Sequence, residues 1–428
     1  MSGKRRYIEN LSWTLSEQLL RLLLGFFVSV WVLRYLGPED FGVYSYVTAF
    51  LFMFSTIARV GLDNILVQEV VVKPESASYS VNTIFTIKLL AGALCFIMLA
   101  ISLQWFNHPA SVNQLILIAG LGLFFQAFDV INLYHQAVVN IKPIAIARTG
   151  QLFIISTCKI LLIVTGQNLT YFVVLIAVEL GLAAILFSYV YHRQDGVTLA
   201  WKFDIRELER YWELGWPVIL SSIAMVGYIK MDQIMIFNML GETSLGFYAA
   251  ASKISEAWYF IPFAVTSTLY PGVLRFKKED QALYEQKLQG LFSLLVSIGL
   301  TVALVVSLYA EEIISILYGN IYFDSISVLT AHIWVGLFIG LGNAASRWFI
   351  AEGLQRLFII RTLAGLVSNF LMNLILIPYF GILGAAMSSL VAVIMANIIS
   401  LSLNQRLRPL FFLTIRSFNL LSMTKVLK

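Results

Sequence analysis

The most constraining feature of this chain is a run of 44 residues, at positions 362–405, that contains no Asp, Glu, Lys or Arg. The turn residues Pro-Tyr-Phe-Gly at 378–381 divide this run into two apolar halves. A helix needs about 20 residues to cross a hydrocarbon layer roughly 30 Å thick. The run therefore predicts a transmembrane hairpin with a tight turn at 378–381, and the same design recurs at 89–128.

The composition agrees with a membrane protein, because 59% of the residues are hydrophobic and only 12% are charged. A soluble domain carries about 25% charged residues. Apolar windows and turn residues predict an all-α integral membrane protein with about 12 transmembrane helices. The predicted spans are 11–33, 41–62, 82–104, 113–135, 147–166, 170–190, 214–238, 244–270, 288–310, 325–349, 357–377 and 382–403.

The basic residues predict the orientation of these spans. With the N-terminus inside, the inner connections hold 21 of the 29 Lys and Arg residues, and the outer connections hold only Arg34. Such a bias predicts that both termini are cytoplasmic. The net charge of +5 then reflects helix ends, so we expect no nucleic-acid partner.

Two short segments repeat at a displacement of 204 residues: Leu-Gly…Phe-Gly-Val-Tyr at 36–44 and Leu-Gly…Leu-Gly-Phe-Tyr at 240–248. Displacement by six spans preserves orientation, which predicts parallel repeats with a transport pathway between them. The predicted organisation is a six-helix lobe at 1–190, an amphipathic cytoplasmic linker at 191–213, a six-helix lobe at 214–403 and a cytoplasmic or interfacial tail at 404–428.

With span bounds set to within about three or four residues, thirteen charged side chains are assigned to the predicted spans. The basic ones are Arg21, Arg59, Lys88, Lys159, Lys230, Lys253 and Arg347, and the acidic ones are Glu17, Asp63, Asp129, Glu179, Asp232 and Glu256. Each charge at the bilayer centre costs at least ~2.5–3.5 kcal/mol, so these residues should face the bundle interior or a wet cavity. Their number predicts a water-filled, charged interior.

Spacing separates these residues into two groups. Three pairs fall three or four residues apart and are expected to meet on one helix face. These pairs are Glu17 with Arg21, Arg59 with Asp63, and Lys253 with Glu256. They are either structural ion pairs or part of a binding site, and the sequence leaves both interpretations open.

The second group has no opposite charge at i±3 or i±4, so its cations are the better candidates for contact with an anionic substrate. Its members are Lys88, Lys159, Lys230 and Arg347. Lys159 is the deepest by position, whereas Arg347 could also extend to the interface. Asp129 and Glu179 are isolated acids, which serve either as proton relays or as partners of lysines on neighbouring helices.

The chain lacks a phosphate-binding loop motif, and its four histidines show no zinc spacing. We therefore expect no enzymatic activity, no cofactor and no metal, although coupling to a proton or sodium gradient is compatible with the acids in the spans.

The segment Arg-Tyr-Leu-Gly-Pro-Glu-Asp-Phe-Gly-Val-Tyr-Ser at 34–45 resembles the first outer turn of bacterial O-antigen flippases, and Gly-Ile-Leu-Gly-Ala-Ala at 381–386 resembles the start of their last helix. These are polysaccharide flippases of the multidrug/oligosaccharidyl-lipid/polysaccharide exporter superfamily. The resemblance implies two lobes around a central cavity built by spans one, two, seven and eight. It also implies alternating access in the bacterial inner membrane.

The same resemblance implies an undecaprenyl-pyrophosphate-linked oligosaccharide as cargo, and membrane lipids, the polysaccharide polymerase and the chain-length regulator as partners. A cation-coupled multidrug exporter of the same fold is an alternative, although it predicts an acidic, aromatic cavity. A membrane glycosyltransferase or polymerase would need a large outer loop, and a peptidoglycan-precursor flippase would need more spans.

Overall fold

The fold is that of a computed structural model, which describes residues 3–106, 108–195, 199–202 and 204–419. Within these ranges the regular secondary structure is entirely helical, with short turns between the helices and no β-strand. Predictions that fall on residue 107, on linker positions 196–198 and 203, and on tail residues 420–428 lie outside the described residues. The all-α class predicted from the sequence is confirmed.

The chain forms two compact units. Unit 1 comprises Met1–Leu36 and Val43–Val226, and unit 2 comprises Gly37–Gly42 and Gly227–Lys428. The helices that begin in unit 1 are α1 (Gly3–Ala58), α2 (Asp63–Val72), α3 (Ala77–Ser102), α4 (Ala110–Gly120), α5 (Gly122–Phe125), α6 (Val130–Ala137), α7 (Lys142–Val164), α8 (Leu169–Asp195) and α9 (Ile205–Leu240). Leu66, Val81 and Val130 lie in its apolar core.

In the residues that the structure describes, unit 2 contains the end of α9 and nine further α-helices. These are α10 (Glu242–Ala257), α11 (Phe260–Glu279), α12 (Gln281–Leu308), α13 (Ala310–Tyr318), α14 (Ser325–His332), α15 (Val335–Ala351), α16 (Gln355–Ile394), α17 (Ser400–Ser402) and α18 (Arg408–Arg416). A π-helix, Met395–Ile399, joins α16 to α17. The core of the unit includes Phe292, Val296 and Leu341.

In the described part of the chain, nine helical stretches are long and apolar enough to cross a membrane. Two of them, Ser16–Val72 and Leu357–Ser402, each cover two predicted spans and contain a backbone break, at Gly37 and Gly381. The predicted span 244–270 is not among the nine. The count of twelve spans and the six-helix lobes therefore stay predictions.

The break at Gly381 reverses the chain within α16. Gly381 has φ 57° and ψ −136°, a conformation that favours glycine. A Cβ atom at Gly384 would overlap the carbonyl oxygen of Leu376. In a continuous helix, residues eight apart are separated by about 12 Å. The two halves therefore pack side by side, as the uncharged run at 362–405 predicts.

The repeated segments have the same backbone conformation. Gly37 has φ 72° and ψ 175°, and Gly241 has φ 88° and ψ 178°. Just after each break, a Cβ atom at Gly42 would overlap the carbonyl oxygen of Glu242, and one at Gly246 would overlap that of Pro38. The two contacts are related by the repeat displacement of 204 residues, so the two copies pack reciprocally.

Candidate functional site

A cavity of about 340 Å³ lies inside unit 1 and collects charged side chains from four α-helices and two shorter segments. We call it the cationic cavity. Its polar lining consists of the cations Arg21, Arg59, Lys88 and Arg148, the acids Asp129 and Glu179, and the amides Gln126 and Gln151. The rings of Phe125, Phe128 and Phe187 form part of its apolar wall. Five of the thirteen predicted site residues meet here.

Arg21 reaches the cavity from the middle of the first half of α1. Its Nε atom donates a hydrogen bond of 2.9 Å to Oε1 of Glu17, one helical turn earlier. This confirms the pair predicted from the spacing. Because Glu17 is buried while Arg21 is about half exposed, the guanidinium keeps one side open to the cavity.

The predicted pair of Arg59 with Asp63 is wrong. Helix α1 ends at Ala58, and Val60 and Gly61 both have positive φ, 56° and 64°. The two residues are therefore separated by a tight turn instead of lying on one helix face. A positive φ is costly for β-branched valine, and such strain clusters at functional sites.

Close packing against α9 holds this turn in place. A Cβ atom at Gly61 would lie against the Gly215 carbonyl oxygen, and one at Gly215 would meet the carbonyl oxygen of Val60. The turn projects the exposed Arg59 side chain into the cavity lining, where Arg59 has no ion-pair or hydrogen-bond partner among the described residues.

Lys88 is not the unpaired cation that its spacing predicts. Only 2% of the side chain is exposed, and its ammonium is bound by the carboxylate of Asp63 on α2. Lys159 is likewise paired across helices, since its Nζ lies 3.7 Å from Oε2 of Glu179 on α8. Glu179 thus joins Lys159 to the cavity lining, in agreement with the interpretation of the isolated acids as lysine partners.

Arg148 is a cavity residue that charge patterning missed, because the sequence places it with an inner connection. It lies in the second turn of α7, where Nη2 is 3.4 Å from Oδ1 of Asp129 and the guanidinium stacks 5.6 Å from the Phe187 ring centroid. Asp129 therefore pairs with an arginine. Glu17, Asp63 and Asp129 balance Arg21, Lys88 and Arg148, so among the described residues the excess positive charge of the lining is that of Arg59.

Unit 2 contains a different polar site, centred on Asp232, of which 3% is exposed. Its carboxylate accepts hydrogen bonds from the Tyr248 hydroxyl at 2.8 Å, from Nδ2 of Asn369 at 2.8 Å, from Nδ2 of Asn373 at 2.6 Å and from the Ser389 hydroxyl. We call these five residues the Asp232 cluster. Within the part of the chain that the structure describes, Oδ1 of Asn373 has no hydrogen-bond partner.

Helix α9 supplies the acid of this cluster, α10 the tyrosine, and the two halves of α16 the amides and the serine. Asn369 and Asn373 lie four residues apart within the uncharged run, on one face of α16. That spacing was a usable signal, because polar side chains within an apolar span face the protein interior. The charge pattern predicted Asp232 as a site residue but not its four donors.

The remaining candidates of unit 2 are dispersed. Lys230 is half-buried in α9, and the Lys253 ammonium lies 5.6 Å from the Phe41 ring centroid. Arg347 is exposed and donates to Ser267 at 3.2 Å, and Glu256 is near the end of α10. None of them lines the second cavity described, of about 1110 Å³, between α12, α15 and α18. The described residues include no cluster of His, Cys, Asp or Glu that could hold a metal ion.

Long apolar helices that enclose ion pairs and a charged cavity define a multi-pass membrane protein of the transporter class. The family described as "Polysaccharide biosynthesis protein" matches residues 32–327, more than half of the chain. The chain belongs to this family, which confirms the resemblance seen in the sequence.

Similar proteins are known from bacteria and archaea. The chain is 22% identical to a putative O-antigen transporter of Shigella flexneri over 91% of its length and 95% of the relative. It is 20% identical to the capsular polysaccharide biosynthesis protein CapF of Staphylococcus aureus, over 89% of this chain and 95% of CapF. It is 22% identical to the probable flippase AglR of Haloferax volcanii, over 88% of this chain and 79% of AglR. The relatives' names describe transport and polysaccharide biosynthesis, and none of the three names an enzyme.

Two solved structures share the fold. The lipid II flippase MurJ in an inward closed conformation aligns with a TM-score of 0.74 at 13% identity, over 96% of this chain and 91% of MurJ. An inward-facing multidrug resistance MATE family transporter aligns with a TM-score of 0.68 at 15% identity, over 92% of this chain and 95% of the transporter. At these identities the likeness shows the fold alone.

Proposed function

We propose that this protein moves a lipid-linked oligosaccharide, the repeat unit of O-antigen or a similar surface polysaccharide, across the bacterial inner membrane. The cargo would be held by undecaprenyl pyrophosphate and moved from the cytoplasmic to the periplasmic leaflet. Membership of the polysaccharide biosynthesis family and the names of the relatives support a role in transport for polysaccharide biosynthesis. No bond is made or broken, so the protein acts as a transporter and not as an enzyme.

The observation that carries the proposal is the cationic cavity of unit 1. A diphosphate cannot leave water without counter-charges, and guanidinium groups match phosphate oxygens. Arg59 has no ion-pair or hydrogen-bond partner among the described residues, and Arg21 and Arg148 keep donors beyond those used by their acids. A hydrogen bond to a charged group contributes about 1.5–3 kcal/mol. Two such contacts would together contribute about 3–6 kcal/mol to binding of the diphosphate, net of desolvation.

Transport would proceed by alternating access, with both termini in the cytoplasm and the lipid tail remaining in the bilayer. Release on the periplasmic side would deliver the repeat unit to the polymerase and the chain-length regulator, our candidate partners. Lys230, Lys253 and Arg347 in unit 2 would contact cargo at other stages of the cycle.

The Asp232 cluster is our candidate for coupling to a proton or sodium gradient. The hydrogen-bond donors to the buried carboxylate are all neutral, so one further positive charge would balance it. The hydroxyls of Tyr248 and Ser389 are oxygen ligands that suit a hard cation. Oδ1 of Asn373, a buried acceptor with no partner in the described residues, fits a cation or a proton in the same way.

Deletion of the gene, followed by sugar-lipid analysis, tests the proposal. We expect undecaprenyl-linked repeat units to accumulate on the cytoplasmic leaflet and surface glycan to be lost. Complementation by Arg59→Gln should fail or be weak, whereas Arg275→Gln, an exposed substitution outside the cavity, should restore the glycan. Unchanged glycan together with new dye sensitivity would instead favour a cation-coupled multidrug exporter.

A further inference from the structure

Arg361 is a buried cation that the cationic cavity does not include. It lies in the second turn of α16 in unit 2, and 7% of the residue is exposed. Its Nε and Nη1 atoms have no hydrogen-bond partner among the residues that the structure describes. The guanidinium stacks on two rings, 4.7 Å from the centroid of Phe358 and 5.5 Å from that of Phe349. The charge pattern of the sequence places Arg361 with the inner connections, where water would accept hydrogen bonds from its guanidinium.

This arrangement differs from that of Lys88, which is also deeply buried but is bound by Asp63. Burying an ionised side chain without an opposite charge is strongly unfavourable. Cation–π contacts offset only part of that cost, and they leave the N–H donors unsatisfied. An anion that binds part of the time would explain why the chain has an arginine here.

A second unsatisfied group lies beside Arg361. The hydroxyl of Tyr228, on α9, is buried without a hydrogen-bond partner in the described ranges, and it is close enough to interact electrostatically with the guanidinium. Both groups donate hydrogen bonds. An anionic oxygen is the ligand that could accept from both at once.

The surrounding backbone is shaped to bring these groups together. Gly365, one turn after Arg361, has no side chain, and a Cβ atom there would lie 3.1 Å from both the Tyr228 ring and Cβ of Ala396. Ala396 belongs to the π-helix Met395–Ile399. Single π-helical turns occur frequently at functional sites. The first half of α16, the Tyr228 ring of α9 and the π-helix therefore pack together beside Arg361.

We propose that Arg361 and Tyr228 form a second anion-binding site, which takes the phosphate oxygens of a lipid headgroup or of a free or lipid-linked diphosphate. Arg361 lies six residues after the start of α16, about 9 Å along the helix axis, close to one end of the apolar stretch. Phosphates are the abundant anions at that depth, and basic pockets at helix ends bind headgroups. The site rests on the contacts of unit 2 alone and does not require the proposed cargo.

The test measures thermal unfolding of the full-length protein by tryptophan fluorescence in dodecyl maltoside micelles, which contain no phosphate. All proteins carry Arg59→Gln, which weakens anion binding in unit 1. One arm adds inorganic pyrophosphate, with sodium chloride at matched ionic strength as the blank. The other arm adds phosphatidylglycerol to the micelles. The variants are Arg361→Met, Arg361→Lys and the exposed control Arg275→Gln.

Without added anion, Arg361→Met should unfold at the same or a higher temperature than its parent, because an unpaired buried charge has been replaced by an apolar side chain. An anion should raise the unfolding temperature of the parent and of Arg275→Gln. We expect Arg361→Met to lose this rise and Arg361→Lys, a point charge without the planar fork, to retain part of it.

A rise that depends on Arg361 in the pyrophosphate arm assigns the ligand to diphosphate, and one in the phosphatidylglycerol arm assigns it to headgroups. The proposal is overturned if neither anion stabilises the parent or if Arg361→Met keeps the full rise. It is also overturned if Arg361→Met unfolds at a lower temperature with an unchanged anion response, because Arg361 would then stabilise the fold by stacking on the two rings and would not bind the anion. Failure of transport by the wild-type protein would bear on the proposed function and not on this site.

Discussion

The reciprocal glycine contact in unit 2 gives the sharpest stability prediction. In Gly42→Ala the new methyl group would overlap the carbonyl oxygen of Glu242, and in Gly246→Ala it would overlap that of Pro38. A flexible side chain could rotate away from such an overlap, but a backbone carbonyl within a helix cannot. Each substitution must therefore force the two repeat segments apart.

The magnitude follows from two opposing contributions. Replacing glycine by alanine inside a helix stabilises it by up to about 1 kcal/mol. Overpacking costs about 1–3 kcal/mol and occasionally more. Because the obstructing atom belongs to the backbone, we expect about 3 kcal/mol, a net loss of about 2 kcal/mol. A Cβ atom at Gly150, in α7, would have no neighbouring atom within 4 Å, so Gly150→Ala should be stabilising by up to about 1 kcal/mol.

The assay is equilibrium unfolding in mixed micelles by titration with a denaturing detergent. The difference in unfolding free energy between Gly42→Ala and Gly150→Ala isolates the steric cost, which we expect to be about 3 kcal/mol. Gly246→Ala should match Gly42→Ala because the two contacts are equivalent. If Gly42→Ala proves as stable as Gly150→Ala, the close packing of the repeat segments is wrong.

Three further predictions concern the charged residues. Asp63→Asn should destabilise the protein by about 3 kcal/mol because it leaves Lys88 buried without a counter-charge, whereas the double variant with Lys88→Met should recover most of that loss in the same titration. Lys159→Ala should change the unfolding free energy by less than about 1 kcal/mol, since its partner Glu179 is 43% exposed; a larger loss would mean that the pair is buried. Asp232→Asn should abolish the dependence of transport on a proton or sodium gradient in proteoliposomes, and a variant that still responds to either gradient would exclude the cluster as the coupling site.

Local patterns in the sequence predicted the features that neighbouring residues determine. The uncharged run predicted the hairpin that closes at Gly381. The predicted spans end and begin at the two repeated Leu-Gly segments, where the structure has equivalent backbone breaks at Gly37 and Gly241. Spacing on one helix also predicted the pair of Glu17 with Arg21. In each case the interaction lies within a few residues along the chain.

Pairing between helices was not predictable in this way. Lys88 binds an acid 25 residues away, and the donors to Asp232 from α16 are 137 to 157 residues away in sequence. Helical spacing also failed for Arg59, because the positive φ of Val60 breaks the helix before Asp63. Arg361 shows the same limit, since charge patterning places a basic residue near a span end but does not say whether protein or solvent surrounds it.

Transport by purified protein in proteoliposomes tests the central claim most directly. Undecaprenyl-pyrophosphate-linked oligosaccharide is placed in both leaflets, and its movement is followed by the accessibility of the glycan to an external glycosidase. The wild-type protein and Arg275→Gln should expose the inner pool at the same rate, and Arg59→Gln should slow exposure about tenfold or more, because losing one charged hydrogen bond costs about 1.5–3 kcal/mol. Equal rates for Arg59→Gln and the wild-type protein would contradict the assignment of the cationic cavity to the diphosphate.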